Sequence, residues 1–172
     1  FTTAQMDNLV GASAGDVDGD GRDDLLIGFG YFNQAYLFLG SSLSGSSTLA
    51  DADVTFIGEE DISYPGWGIL GSSVTSAGDV DGDGLSDILL GAGRYRPATN
   101  ETGKSYLVFA TDLTSPTIDL ANVSTTFLGH HFGNPNITSL SSAGDVDGDG
   151  LADFLIGSGG FDDLSQGHSN HG

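Results

Sequence analysis

Ser13-Ala14-Gly15-Asp16-Val17-Asp18-Gly19-Asp20-Gly21 recurs without change at Ser76–Gly84 and again at Ser142–Gly150. One nonapeptide in three places, about 65 residues apart, makes the internal repeat the first feature to read. The likeness continues beyond each copy. Asp24–Gly28 (DLLIG) matches Asp87–Gly91 (DILLG) and Asp153–Gly157 (DFLIG). Further on, Ala35–Leu39 matches Ser105–Phe109, and Thr55–Gly58 matches Thr126–Gly129. Each unit therefore holds four short strand candidates, A to D. Strand A runs into the Asp-rich loop and strand B leaves it.

Four short strands per repeat is the pattern of a β-propeller blade. Strand A of a blade lies nearest the central axis, and small residues such as Ser13, Ala14 and Gly15 suit that crowded place. The B strands are nearly continuous apolar runs, as expected of strands covered on both faces. Gly28, Gly91 and Gly157 end those runs and are read as turn residues with positive φ. The expected fold is all-β: a partial propeller of four-stranded antiparallel blades, about two and a half in number. The whole chain, 1–172, is one such region, with units of approximately 5–62, 63–132 and 133–172. His168–Gly172 stands where Asn100–Gly103 precedes strand C in the second unit, so the third unit lacks strands C and D. A propeller closes with 4–8 blades. Continuation into further blades of a longer protein is the expectation, favoured over symmetric assembly of partial propellers.

Composition narrows the function classes. The chain has 24 acidic residues against 4 Lys plus Arg, a formal charge of −20. That balance opposes binding to nucleic-acid phosphates, which takes clustered cations, and opposes an anionic membrane surface. No apolar run is long enough for a membrane span. There is no cysteine, which removes disulfides and thiolate zinc sites. The 28 glycines suit short strands and turns. Half of the acids fall in the three loops, so the acidity is focused, and focused acidity points to cations.

Each loop reads D-x-D-x-D-G-x-x-D. Hard carboxylate oxygens at alternate positions suit Ca²⁺, which takes 6–8 oxygens in a flexible shell. The glycine at position six permits the sharp turn around an ion. Position seven can supply a backbone carbonyl whatever its side chain, and the last aspartate opens strand B. An EF-hand is excluded: it needs Glu at position twelve and flanking helices, whereas Ile27, Leu90 and Ile156 stand there inside strands. Tandem nine-residue β-roll repeats are excluded by the long spacing. A merely solvated acidic turn accounts poorly for four carboxylates crowded together without a lysine. Since the loops lie in separate blades, loss of one site is expected to leave the others nearly intact.

The loops, the apolar B strands ending in glycine, and Phe132-Gly133 ahead of the third loop resemble the FG-GAP repeats of integrin α-subunit propellers. The FG element is clear in the third unit. The second offers Trp67-Gly68 or Leu70-Gly71, and the first has no obvious copy. The resemblance implies that loop positions 1, 3, 5, 7 and 9 hold the metal. In this chain those are Asp16, Asp18, Asp20, Arg22 and Asp24; Asp79, Asp81, Asp83, Leu85 and Asp87; and Asp145, Asp147, Asp149, Leu151 and Asp153. Three Ca²⁺ ions, one per loop and structural in role, are thus expected. The resemblance further implies ligand binding on the face opposite the calcium loops. The expected function is an extracellular calcium-binding module for adhesion or ligand recognition. The alternative is an accessory, non-catalytic or carbohydrate-binding propeller of a secreted hydrolase or lyase.

On that opposite face the sequence places Tyr31-Phe32, Tyr64-Pro65-Gly66-Trp67, Arg94-Tyr95-Arg96, His130-His131-Phe132 and Phe161-Asp162-Asp163. These are candidate contacts for a protein or glycan ligand, although packing between blades accounts for most such aromatics. His130-His131 and His168/His171 read as ordinary loop histidines, with no third zinc ligand at hand. Glu59-Glu60-Asp61 reads as a solvated turn and not as a pair of glycosidase acids. There is no nucleophile elbow, P-loop or dinucleotide fingerprint, so the chain is read as non-enzymatic. Sequons at Asn100, Asn122 and Asn136 are compatible with a secreted glycoprotein.

Overall fold

The computed structural model describes residues 9–43, 45, 47–59, 70–93, 103–129 and 136–159. Three antiparallel units follow one another. The first is built from β1 (Leu9–Gly15), β2 (Asp24–Phe29), β3 (Gln34–Phe38) and β4 (Val54–Ile57), paired in that order. The second is built from β5 (Leu70–Gly78), β6 (Asp87–Ala92), β7 (Lys104–Val108) and β9 (Thr125–Leu128). Among the described residues the third holds β10 (Asn136–Gly144) and β11 (Asp153–Gly159). Strands A to D of the sequence reading therefore exist in the order expected. No helix among the described residues is long and apolar enough to cross a membrane.

The short β8 (Thr117–Asp119) follows no pattern in the repeat. It belongs by sequence to the connection between β7 and β9. In space it leaves its own sheet and pairs in parallel with β4, setting Thr55, Phe56 and Ile57 against Thr117, Ile118 and Asp119. A further bond from the Thr55 N–H to the Pro116 carbonyl, 3.0 Å, extends the junction. The outer edge of the first sheet is thereby closed by the second repeat. An exposed edge strand invites adventitious pairing, and this one is covered.

The sheets stack face to face through their apolar side chains. Leu26, Leu37 and Phe56 of the first sheet meet Leu70, Val74, Leu90 and Tyr106 of the second in one buried cluster. Ala77, Leu89 and Leu107 on the other face of the second sheet pack with Phe127, Phe154 and Ile156. The rings of Phe127 and Phe154 lie 5.5 Å apart at 68°. Strand β6 is buried along its whole length, as its unbroken apolar run predicts. In β2 one face is covered and the other only partly so, whereas Phe154 and Ile156 of β11 are partly covered and Leu155 is exposed.

The glycines that end the B strands correct the sequence reading. Gly28, Gly91 and Gly157 are not turn residues and have no positive φ; each is paired within its strand. What they provide is thinness. A Cβ on Gly28 would overlap the backbone of Gly71 at the start of the next sheet. Gly71 itself has φ +87, and a Cβ there would lie 2.6 Å from the Phe29 nitrogen. Two backbones touch at this point, with buried Leu70 beside them. The Ser-Ala-Gly stretch at the end of each A strand also has a local cause. The register slips between Ser13 and Gly15, Ser76 and Gly78, and Ser142 and Gly144. Each of these glycines has φ between 70° and 81°, and its N–H donates to the serine hydroxyl at 3.0–3.5 Å. This is a β-bulge, written three times, that turns the chain into the loop.

Two contacts between the first and second sheets were not legible in the repeat. Asn33 is left-handed, with φ 56. Its side-chain amide donates to the carbonyls of Gly58 and Glu59, at 3.0 and 3.1 Å, and its Oδ1 accepts from the Leu70 N–H at 3.0 Å. Glu59 forms an ion pair with Lys104 and accepts a 3.2 Å bond from the Tyr106 hydroxyl. The expected solvated turn is thus, at Glu59, a half-buried junction; Glu60 and Asp61 lie outside the described residues.

Candidate metal centre

Each loop is organised by its own aspartates. The Asp16 carboxylate sits at the hub: Oδ1 accepts from the N–H groups of Gly19 (2.8 Å) and Asp20 (3.1 Å), and Oδ2 from that of Gly21 (2.9 Å). Asp79 repeats this with Gly82 and Gly84, and Asp145 with Gly148, Asp149 and Gly150. Asp18, Asp81 and Asp147 each accept from the backbone two residues on, at 3.1 Å. Asp20, Asp83 and Asp149 accept in the same way from Arg22, Leu85 and Leu151, at 2.8–2.9 Å. Such short-range side-chain bonds fold a tight turn. Gly21, Gly84 and Gly150 at position six have φ of 86°, 89° and 94°, as the sequence reading requires.

The last aspartate ties loop to sheet. Asp24 Oδ2 accepts from Val17 N–H (2.8 Å) and Oδ1 from Gly40 N–H beyond β3 (2.7 Å). Asp87 does the same with Val80 and Ala110, both at 2.9 Å. Asp153 accepts from Val146 at 2.8 Å. Asp24 and Asp87 are buried. Burial pushes both carboxyls above the usual carboxylate range. The backbone N–H bonds oppose this, while neighbouring Asp18 and Asp16, or Asp81 and Asp83, add to it. Like charges held close in a half-dry site are costly unless a cation joins them.

Carboxylate oxygens of Asp16, Asp18 and Asp24 lie within 4.8 Å of one another, as do those of Asp79, Asp81 and Asp87, and of Asp145, Asp147 and Asp153. Positions one, three and nine of the motif thus converge in every loop. The position-five residues Asp20, Asp83 and Asp149 stand outside that convergent group, engaged with the position-seven N–H. At position seven, the side chains of Arg22 and Leu151 are exposed and that of Leu85 is partly buried. A cluster made only of hard oxygens, on a backbone already turned around its centre, fits a cation such as Ca²⁺.

Although they lie in separate units, successive loops touch. Ser86 N–H donates to the Asp16 carbonyl at 2.9 Å, and Ala152 N–H to the Asp79 carbonyl at 2.7 Å. A Cβ placed on Gly19 would lie 3.1 Å from Leu85 Cδ2, and one on Gly82 would lie 3.0 Å from Leu151 Cδ2. The first and second loops are thus each overlaid by position seven and bonded by position eight of the next.

At the other end of the strands, Tyr31 and Phe32 project from the β2–β3 turn. Both are exposed, and Phe32 makes edge contacts with Phe29 (4.7 Å, 83°) and Tyr31 (5.4 Å, 89°). The other candidates for that face, Tyr64–Trp67, Arg94–Arg96, His130–Phe132 and Phe161–Asp163, lie outside the described residues, as do His168 and His171.

Comparison with known proteins gives one consistent answer. The family described as FG-GAP repeat matches at residues 10–43, 70–108 and 137–171, more than half of the chain. Integrin alpha-5 of Xenopus laevis is 30% identical over 94% of this chain. Integrin alpha-PS2 of Drosophila melanogaster is 31% identical over 88% of it, and integrin alpha pat-2 of Caenorhabditis elegans 27% identical over 83%. The chain spans only 16%, 10% and 12% of the lengths of those relatives.

Proposed function

The chain belongs to the FG-GAP repeat family and is part of a β-propeller, and on that premise we propose that it is an extracellular calcium-binding module serving adhesion or ligand recognition, without catalytic activity. One observation carries the metal reading: three carboxylates converge in each of three identical loops. We assign the ion in each loop to Asp16, Asp18 and Asp24, to Asp79, Asp81 and Asp87, and to Asp145, Asp147 and Asp153. Asp20, Asp83 and Asp149, with the carbonyls of Arg22, Leu85 and Leu151, complete the shell in this proposal. Bound Ca²⁺ supplies the positive charge that the clustered carboxylates lack. The protein's own residues fix the turn, anchor strand B and present oxygens on one side. With the shell filled by protein oxygens, little of the ion is open to a substrate, so its role is structural.

Three further points belong to the proposal. The blade units run approximately 5–62, 63–132 and 133–172. A protein or glycan ligand binds on the face of Tyr31 and Phe32, away from the calcium loops; the names of the relatives, integrin alpha subunits, support adhesion. Asn122, which is exposed, Asn100 and Asn136 are the glycosylation sites to test.

The experiment is a thermal melt with and without chelator. At millimolar calcium, a site of about 0.1 mM affinity, within the range of extracellular modules, contributes roughly 1.4 kcal/mol. Three such sites correspond to a fall in Tm of roughly 10 °C on chelation, reversed by calcium more effectively than by magnesium. A melting curve that chelator does not move removes the structural calcium.

A further inference from the structure

The repeated contact between successive loops has a consequence for how each site works. Leu85 lies over the loop of Asp16, and Leu151 over the loop of Asp79. The amides of Ser86 and Ala152 hold the carbonyls of Asp16 and Asp79, the hub residues of the preceding loops. The same relation therefore occurs twice, in side chain and in backbone. A Cβ placed on Gly148 of the third loop would meet nothing within 4 Å among the described residues. Arg22 is the first loop's residue at position seven and is exposed.

We propose that the position-seven leucine of each loop is a positioning residue for the calcium site of the loop before it, acting across the blade boundary and not on the loop that contains it. This rests on the calcium reading above. The physical argument has two parts. An apolar side chain over the loop excludes water from one side of the carboxylate cluster, and charge interactions strengthen as water is removed. The same side chain, with the neighbouring amide bond, restricts the hub aspartate before the ion arrives, so less order must be gained on binding. Leucine's contribution to its own loop is only a backbone carbonyl, which any residue provides. Occupancy of adjacent loops is then coupled, and such coupling is reciprocal.

The test is a calcium titration of the full chain followed by NMR, reading the amides of Gly21, Gly84 and Gly150 as reporters of the three loops. Leu85→Ala is expected to weaken the first site by about five-fold, the lower end of typical coupling, with a smaller change in the second. Leu151→Ala should weaken the second site and spare the third. Leu128→Ala, at an exposed position of β9 paired with Lys104, should leave all three affinities unchanged, and Leu85→Met should restore the first. If Leu85→Ala perturbs the fold, the Leu151→Ala and Leu85→Met titrations decide the question alone. Larger weakening in the loop that carries the substitution, or equal affinities throughout, overturns the proposal while leaving calcium binding intact. Glycine amides that ignore calcium in the unaltered chain overturn the calcium reading itself.

Discussion

The loop opened by Asp16 and the loop opened by Asp145 share the same hydrogen bonds to the hub aspartate and the same bulge before it. They differ in what stands next to them. Val17 is 3% exposed and Val146 is 71% exposed. Ala14 is buried, and Ala143 only partly so. Asp24 ties its loop to the segment after β3 through Gly40, whereas Asp153 makes its bond to Val146 alone among the described residues. Identical sequence thus produces identical local geometry, while burial comes from the neighbour. In a stacked repeat, stability divides into an intrinsic part and an interface part, and these two loops separate the parts.

The largest expected effect tests the anchor. Asp87→Ala leaves the part-buried N–H of Val80 and the buried N–H of Ala110 without an acceptor, each costing about 1–3 kcal/mol, so urea unfolding in calcium should show a loss of about 3 kcal/mol. Asp153→Ala, at a half-exposed anchor with one such bond, should lose about 1 kcal/mol. Equal losses would mean that the anchoring to strand C contributes nothing. Next in size is the valine pair. Val17→Ala removes two buried methyl groups' worth of packing and should cost about 2 kcal/mol. Val146→Ala should stay within about 0.5 kcal/mol. A comparable cost at both would show that the third loop is covered in solution.

The smallest effect carries the comparison to strand C. Ser105 of β7 occupies the repeat position of Ala35 in β3. It is fully buried, and its hydroxyl has no hydrogen-bond partner among the described residues. Ser105→Ala should therefore leave stability unchanged or raise it by up to about 1 kcal/mol, read from the same urea curves. A clear loss would mean that the hydroxyl has a partner in solution.

What could be read from sequence was what the chain repeats. Three copies of a loop placed its glycine turn, its convergent acids and its four strands, because each depends on residues within a few positions of one another. The single-copy contacts were not legible. Asn33 is replaced in the second unit by Gly103, so no alignment of the repeats marks its bridge to Leu70. Glu59 and Lys104 lie 45 residues apart, and nothing in either neighbourhood announces the other. Gly28 was misread for a different reason. A glycine at the end of an apolar run signals a turn by local rules, and the backbone of Gly71 pressing against it is a non-local fact. The contacts between successive loops were not legible for the same cause.

The stitch of β8 onto β4 determines where this protein can be cut. Severing the chain between the first and second repeats would strip Val54–Ile57 of its outer companion and leave its amides and carbonyls as a template for foreign strands. The smallest piece worth expressing alone accordingly runs from the first repeat through Thr117–Asp119 of the second, and a single excised blade should come out of the cell as precipitate.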